Sequence, residues 1–255
     1  MMYLRSKVQL RSTLFLLFCV GFISTSACSK NESQTETHIV PKSSDTQAQD
    51  EIKKIASALN VKAFDEETKV TTLLKEVADS HQASLQGLEH RLKTKSSTLR
   101  KLKKLHKDAP EVPVAKLKIS DTLRYTLEVS DEPEGHYVKT IQDVLKALEG
   151  KNYQVVKVKN YWPKGDNYSG VNTIISTQDG FQWELQFHTP ASYQEAKSSH
   201  DKYESLRAND TPVAEKQKLF TEMAKPWESI AVPKDVLEPH NLHQKEEIKK
   251  WNAPK

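Results

Sequence analysis

Glu184, Gln186 and His188 stand two residues apart in the run FQWELQFHT, residues 181–189, and Gln182 completes the row. Residues that alternate at period two share one face of a strand, roughly 7 Å apart, while Phe181, Trp183, Leu185 and Phe187 seat the other face on a core. A carboxylate held on a rigid strand can ligate a metal or act as a general base. A merely solvated strand face is the competing reading.

Four other groups could do chemistry. Residues 91–107 carry eight cations (Arg91, Lys93, Lys95, Arg100, Lys101, Lys103, Lys104, Lys107) and no Asp or Glu. Solvated helices normally intersperse acids for i,i+4 pairing, so the counter-charge here must come from elsewhere, from phosphates or an anionic membrane surface. Asp121 and Arg124 lie in DTLR. In a regular strand Asp121 would share the core side with Leu123 and Leu127, so it either precedes the strand or is re-aimed by a bulge. A surface ion pair is the plainer alternative for that couple.

Residues 160–172, NYWPKGDNYSGVN, offer Lys164 for a phosphate, Tyr161 and Tyr168 as platforms for a base, and Gly165 and Gly170 for close backbone approach. They could equally form an aromatic-capped turn. Lys197, His200, Glu204 and Arg207 recur at three and four and share one helical face, either a wall behind Gln186 and His188 or a solvated surface. There is no zinc-type cluster, Walker loop, dinucleotide fingerprint or nucleophile elbow.

These groups need elements to hold them. Residues 51–109 are rich in helix formers, with Leu73, Leu74, Val77, Leu85, Leu88 and Leu92 at broken helical spacing, and predict a helical N-terminal part. Residues 116–129 alternate as a first strand and 131–135 turn. Residues 137–148 are an amphipathic helix closed by Gly150. Strands follow at 153–159, 171–177 and 181–189, with a turn at Asp179-Gly180. Helices are expected from 190 to about 207 and from 212 to about 225, then an extended tail over 226–255. The fold class is therefore α+β, a mixed sheet of four to five strands flanked by helices.

The chain has 255 residues, 28% charged and 36% hydrophobic, with seven glycines and a net charge of +4. That describes a helix-rich globular protein and excludes a fibre. At the N-terminus Arg5, Lys7 and Arg11 precede an apolar run over 14–23 that is too short to span a bilayer comfortably. Ser26-Ala27-Cys28 is similar to a lipobox. Residues 1–27 are thus expected to be an export signal, followed by cleavage after Ala27 with or without a lipid on Cys28. The expected location is periplasmic, outer-membrane or secreted. Cys19 falls within that segment, leaving Cys28 as the only other cysteine. Residues 28–50 are polar enough to read as a disordered tether.

Taken in order, the motifs resemble the synthetase domain of the RelA/SpoT family, the (p)ppGpp pyrophosphokinases. Arg91, Lys93, Ser97 and Lys101 fit that family's R-x-K-x-x-x-S-x-x-x-K run, and Asp121 and Arg124 its first-strand Asp and nearby Arg. Pro163-Lys164 and Tyr168 fit its loop. Glu184, Gln186 and Thr189 fit E-x-Q-x-R-T, and His200 with Tyr203 fits H-x-x-Y. The resemblance spans residues 88–207 and extends to a divergent toxin-like and phage-associated subgroup. His188 stands where the family has Arg, and Asn172 where it has His.

The resemblance implies transfer of pyrophosphate from ATP to the 3′-hydroxyl of a guanosine or adenosine nucleotide or a tRNA end. Asp121 and Glu184 would hold Mg²⁺. Arg91, Lys93, Ser97, Lys101, Arg124 and Lys164 would bind ATP and its phosphates. Tyr168, Asn172, Gln186, His188 and His200 would line the acceptor site. It implies no DNA partner, allows a homo-oligomer, and confines membrane contact to a lipid on Cys28. Behind an export signal such an enzyme would be an effector, whereas a non-catalytic lipoprotein using the same fold for binding or structure is the alternative.

Overall fold

The computed structural model describes residues 44–163, 167–208 and 210–249. Cys28, the export segment and Lys164 lie outside the described residues.

Helix α1 (Ser44–Ser80) begins ahead of the expected start at 51. The reason lies in its spacing: Ala48, Ile52 and Ala56 recur every four residues and continue an apolar stripe into the segment read as a tether. Ala56, Ala63, Val70 and Val77 then recur at seven and are all buried. The first half of α1 closes a small core with Leu102, Val114 and Ile119, and the second half joins the main core.

The helical stretch expected up to 109 is interrupted. Strand β1 (Ser84–Gln86) intervenes, flanked by Gln82 at φ 53° and Gly87 at φ 60°, and helix α2 (Lys95–Asp108) starts afresh. Thr94 caps α2 by accepting the Ser97 amide at 3.3 Å. Strand β2 (Arg124–Glu128) is much shorter than the expected 116–129. Leu117 and Ile119 serve the small core instead of a sheet face, so apolar alternation there marks packing without a ladder.

Helix α3 (His136–Gly150) buries Val138, Ile141, Val144, Leu145 and Leu148. Strands β3 (Gln154–Asn160), β4 (Val171–Ser176) and β5 (Gln182–His188) follow within a residue or two of expectation. The helix expected over 190–207 is two, α4 (Pro190–Ser198) and α5 (His200–Arg207). Ser199 Oγ donates back to the Glu195 carbonyl at 2.8 Å, a local bond that competes with a straight helix. Helix α6 (Val213–Glu228) runs past Pro226, and the tail contributes strand β6 (Glu246–Ile248). Among the described residues no helix is long and apolar enough to cross a membrane.

The six strands form one mixed sheet in the order β1-β2-β5-β4-β3-β6. The β2–β5 and β3–β6 pairs are parallel and the others antiparallel. The α+β class is as expected, and the two unforeseen strands are three-residue edges. Trp183, Leu185 and Phe187 of β5 are buried in one core with Val70, Leu73, Leu74 and Val77 of α1 and Ile141, Val144 and Leu145 of α3. One face of the sheet is thereby covered, and the polar rows lie on the other.

Candidate active site

The polar face is built by register. Arg124 of β2 lies beside Glu184 of β5, and the next row runs Thr126, Gln186, Asn172 and Lys159 across β2, β5, β4 and β3. Gln186 Nε2 donates to Glu184 Oε1 at 2.8 Å, and Thr126 Oγ1 donates to Gln186 Oε1 at 3.3 Å. Glu184 is therefore oriented through one oxygen.

Asp121 precedes β2, which decides between the two placements its parity allowed. Residues 91–93 run alongside 122–124. The Lys93 amide donates to the Thr122 carbonyl at 3.0 Å and the Arg124 amide to the Arg91 carbonyl at 2.8 Å. Asn60 Nδ2 of α1 secures the Lys93 carbonyl at 2.6 Å. This pairing delivers the Lys93 ammonium to Asp121 Oδ2 at 3.1 Å, and Lys101, one turn after Ser97 on α2, reaches the same oxygen at 2.8 Å. Asp121 Oδ1 is buried without a hydrogen-bond partner. On the other side the Glu184 amide donates to the Leu123 carbonyl at 3.0 Å, so both carboxylates sit where two parallel strands enter the sheet.

Burial alone would raise the Asp121 carboxyl, but Lys101 and Lys93 outweigh it and hold the group below its ordinary 3.8. Burial holds Lys93 below its ordinary 10.5 in spite of Asp121. Burial does the same to Lys159, against the pull of Glu184.

Arg91 is engaged elsewhere. Its Nε donates to Glu67 Oε1 of α1 and its Nη1 to the Leu88 carbonyl, which makes it a tie between α1 and the 91–93 segment. His200 is exposed at the start of α5. Glu204 of α5 meets Arg100 of α2 at 3.3 Å and Arg207 at 3.4 Å. Arg100, Glu204, Arg207 and Asp210 line a cleft on that side.

The loop between β3 and β4 is closed by the Tyr161 amide on the Gly170 carbonyl at 2.9 Å and tied to α6 by Asn167 Nδ2 on the Phe220 carbonyl at 2.8 Å. Tyr168 is half-buried. Tyr161 stands edge-on to it at 5.4 Å and Trp227 tilts against it at 5.7 Å. Its hydroxyl donates to Asn172 Oδ1 at 2.7 Å and lies 2.9 Å from His188 Nε2. His188, expected at the acceptor surface, is 2% exposed. Gly170 and Ser192 of α4 press on it, so it is part of the wall and not of the open face.

Sequence reasoning passed over Lys159 and Ser192. The period of β3 places Lys157 and Lys159 on the polar face, which was a usable signal, whereas nothing local marks Ser192 as a partner of His188. Among the described residues no group of three or more His, Cys, Asp or Glu is placed to hold a metal. A Mg²⁺ ion needs less, since it keeps waters and takes one or two carboxylates plus substrate phosphates. The orphaned Asp121 Oδ1 and the Glu184 oxygen not used by Gln186 fit that requirement.

No family model matches the chain, and no curated protein matches it. Several solved structures are similar to it. The small alarmone synthetase 2 from Bacillus subtilis is 20% identical over 66% of this chain and 88% of that one, with a TM-score of 0.48. The small alarmone synthetase 1 from the same organism, bound to its product pppGpp, is 15% identical over 69% and 90%, with a TM-score of 0.48. The Type VI effector Tas1, in complex with its immunity protein, is 20% identical over 68% and 95%, with a TM-score of 0.42.

Proposed function

We propose that the chain transfers pyrophosphate from ATP to the 3′-hydroxyl of a nucleotide or of a tRNA end. The observation that carries this is the pair Asp121 and Glu184 at the mouth of adjacent parallel strands, with Lys93, Lys101, Lys159 and Arg124 around them. Two carboxylates among four cations suit a substrate that is itself a metal-bound polyanion. A surface ion pair does not account for a shared, mostly buried carboxylate with one oxygen left unpartnered.

In this reading Asp121 and Glu184 hold Mg²⁺, which when bound neutralises triphosphate charge. The triphosphate draws Lys93 and Lys101 partly away from Asp121 and onto its oxygens, and Lys159 and Arg124 flank it. Tyr168 offers its ring to the acceptor base. The acceptor 3′-oxygen attacks the β-phosphorus, the bond from that phosphorus to the α,β-bridging oxygen breaks, and AMP leaves. Glu184 also accepts the hydroxyl proton. Positioning and electrostatics supply most of the acceleration in such a transfer.

The test is incubation of the purified protein with Mg²⁺, ATP labelled at the β- and γ-phosphates, and GDP, GTP, AMP, ADP or tRNA. Label should move to one of these acceptors. Glu184→Gln should slow that transfer at least ~100-fold, as expected for loss of a general base, with the melting temperature little changed. Absence of transfer to every acceptor, together with absence of ATP binding, overturns the reading.

A further inference from the structure

A chain of hydrogen bonds runs behind the proposed acceptor site. The Thr189 amide donates to Ser192 Oγ at 2.9 Å, and Ser192 Oγ lies 2.9 Å from His188 Nδ1. His188 Nε2 lies 2.9 Å from the Tyr168 hydroxyl, which donates to Asn172 Oδ1 at 2.7 Å. The tyrosine has one proton, and Asn172 takes it. His188 Nε2 then carries a hydrogen and donates to the tyrosine oxygen, which leaves Nδ1 bare to accept from Ser192, whose hydroxyl lies nearer to it, at 2.9 Å, than to its other acceptor, the Thr189 carbonyl, at 3.2 Å. Every donor in the series points the same way, an arrangement in which each bond polarises the next.

The pocket is cut to admit this ring. A Cβ on Gly170 would come within 2.9 Å of His188 Cε1 and 3.1 Å of the Phe187 carbonyl, so no larger residue fits without moving the imidazole. A cation in this position would be desolvated beside Arg124, and burial together with Arg124 lowers His188 to about 3. The other groups facing it are Tyr168 from the loop, Tyr193 from α4 and Glu128, its register partner on β2. None of these turns the imidazole into a cation near neutral pH.

We propose that His188 is a positioning residue, a neutral latch that fixes the Tyr168 ring and turns the Asn172 carboxamide oxygen inward, so that Asn172 presents its Nδ2 amide as a donor to the acceptor nucleotide. Asn172 Nδ2 has no hydrogen-bond partner among the described residues, and Asn172 shares a register row with Gln186 and Lys159. The site then favours a base edge that presents a carbonyl or ring nitrogen to that amide over one that presents a donor such as an exocyclic amine. It makes no use of a positive charge at position 188. This selectivity rests on the proposed transfer reaction, whereas the latch itself does not.

Two measurements separate these. In the full-length protein, ¹⁵N NMR of His188 should show an Nε2–H tautomer whose signals do not titrate between about pH 5 and pH 8. An Nδ1–H tautomer, or titration near the ordinary 6.5, overturns the latch whatever the activity.

The second measurement compares His188→Phe, which keeps a ring but no hydrogen bonds, with His188→Gln, whose amide can replace both. His188→Phe should raise KM for the acceptor found in the panel ~10- to 100-fold with KM for ATP within about twofold, and His188→Gln should restore most of that. Equal losses for ATP and acceptor, or no rescue by Gln in a folded variant, overturn the positioning role. A wild-type protein that neither transfers to any acceptor nor binds ATP defeats the proposed reaction, and the NMR result still decides the latch.

Discussion

At the scale of residues, the site is an electrostatic arrangement held under tension. Lys93 and Lys159 are buried enough that their ammonium forms are disfavoured, and both lie below the ordinary 10.5. For a lysine depressed by burial the charged form is the strained one. The fold therefore gains stability as pH rises through the depressed value, and the buried charge opposes folding below it. In the proposed reaction a bound triphosphate would reverse the sign by stabilising both ammoniums and lifting their pKa values. Asp121 sits below 3.8 and keeps its charge throughout this window. ATP binding should accordingly take up protons on the alkaline side, below the ordinary 10.5, and less so near neutral pH. Calorimetry in two buffers of different ionisation enthalpy reads this directly. Lys159→Met should reduce the uptake, and identical enthalpies in both buffers at the higher pH would show that these lysines do not face the phosphates.

At the scale of elements, the edges of the sheet decide how far it can be trusted to hold that arrangement. Strand β6 has only three residues and is held on β3 by backbone pairing, by the Lys157–Glu247 ion pair at 2.9 Å and by the side chain of Asn160. Asn160 is fully buried, donating to the Val236 carbonyl at 2.6 Å and to Glu246 Oε1 at 2.8 Å, while its Oδ1 accepts the Trp162 amide at 3.0 Å. Glu246 in turn accepts the Leu242 amide at 3.2 Å. Asn160→Ala strands a buried carboxylate and two backbone groups, a loss of roughly 2–4 kcal/mol, or about 5–10 °C in Tm. The amides of 246–249 should lose exchange protection before those of β4 and β5, and unchanged protection would refute the clasp. None of this was readable in the tail, because a three-residue strand shows no periodicity and a buried Asn or Glu looks like any polar residue. The row of Glu184 and Gln186 was readable, since seven residues of strict alternation fix a face. His188 shared that parity yet ended inside the wall, because its burial comes from Gly170 and Ser192, which sequence spacing does not connect to it. The alternation at Leu117 and Ile119 misled for the opposite reason: those residues pack in the small core with residues of α1 and α2 and join no strand.

At the scale of the whole molecule, α1 is the spine that couples the two cores to the site. Its first half carries Ile52 and Ala56 beneath Leu102 of α2, and its second half carries Val70, Leu74 and Val77 in the main core. Between and beside these lie Asn60, which holds the Lys93 carbonyl, and Glu67, which holds Arg91. The cationic segment is thus positioned from α1, while Asp121 and Glu184 are positioned from the sheet. Continuity of that one helix keeps the two sets in register. Val61 sits at the junction and is 61% exposed, so its side chain contributes little. Val61→Ala should leave Tm within a degree or two, given the small effect of most surface substitutions. Val61→Pro instead removes the helical bond to the Ser57 carbonyl and kinks the helix, a loss of about 3 kcal/mol or more. Because the break falls between the cores, it should not be shared evenly. Amides of α2 should exchange much faster, while those of β2, β4 and β5 keep most of their protection. Uniform loss across α2 and the sheet would mean that the two cores unfold as one unit and that the cationic segment owes its place to something other than α1.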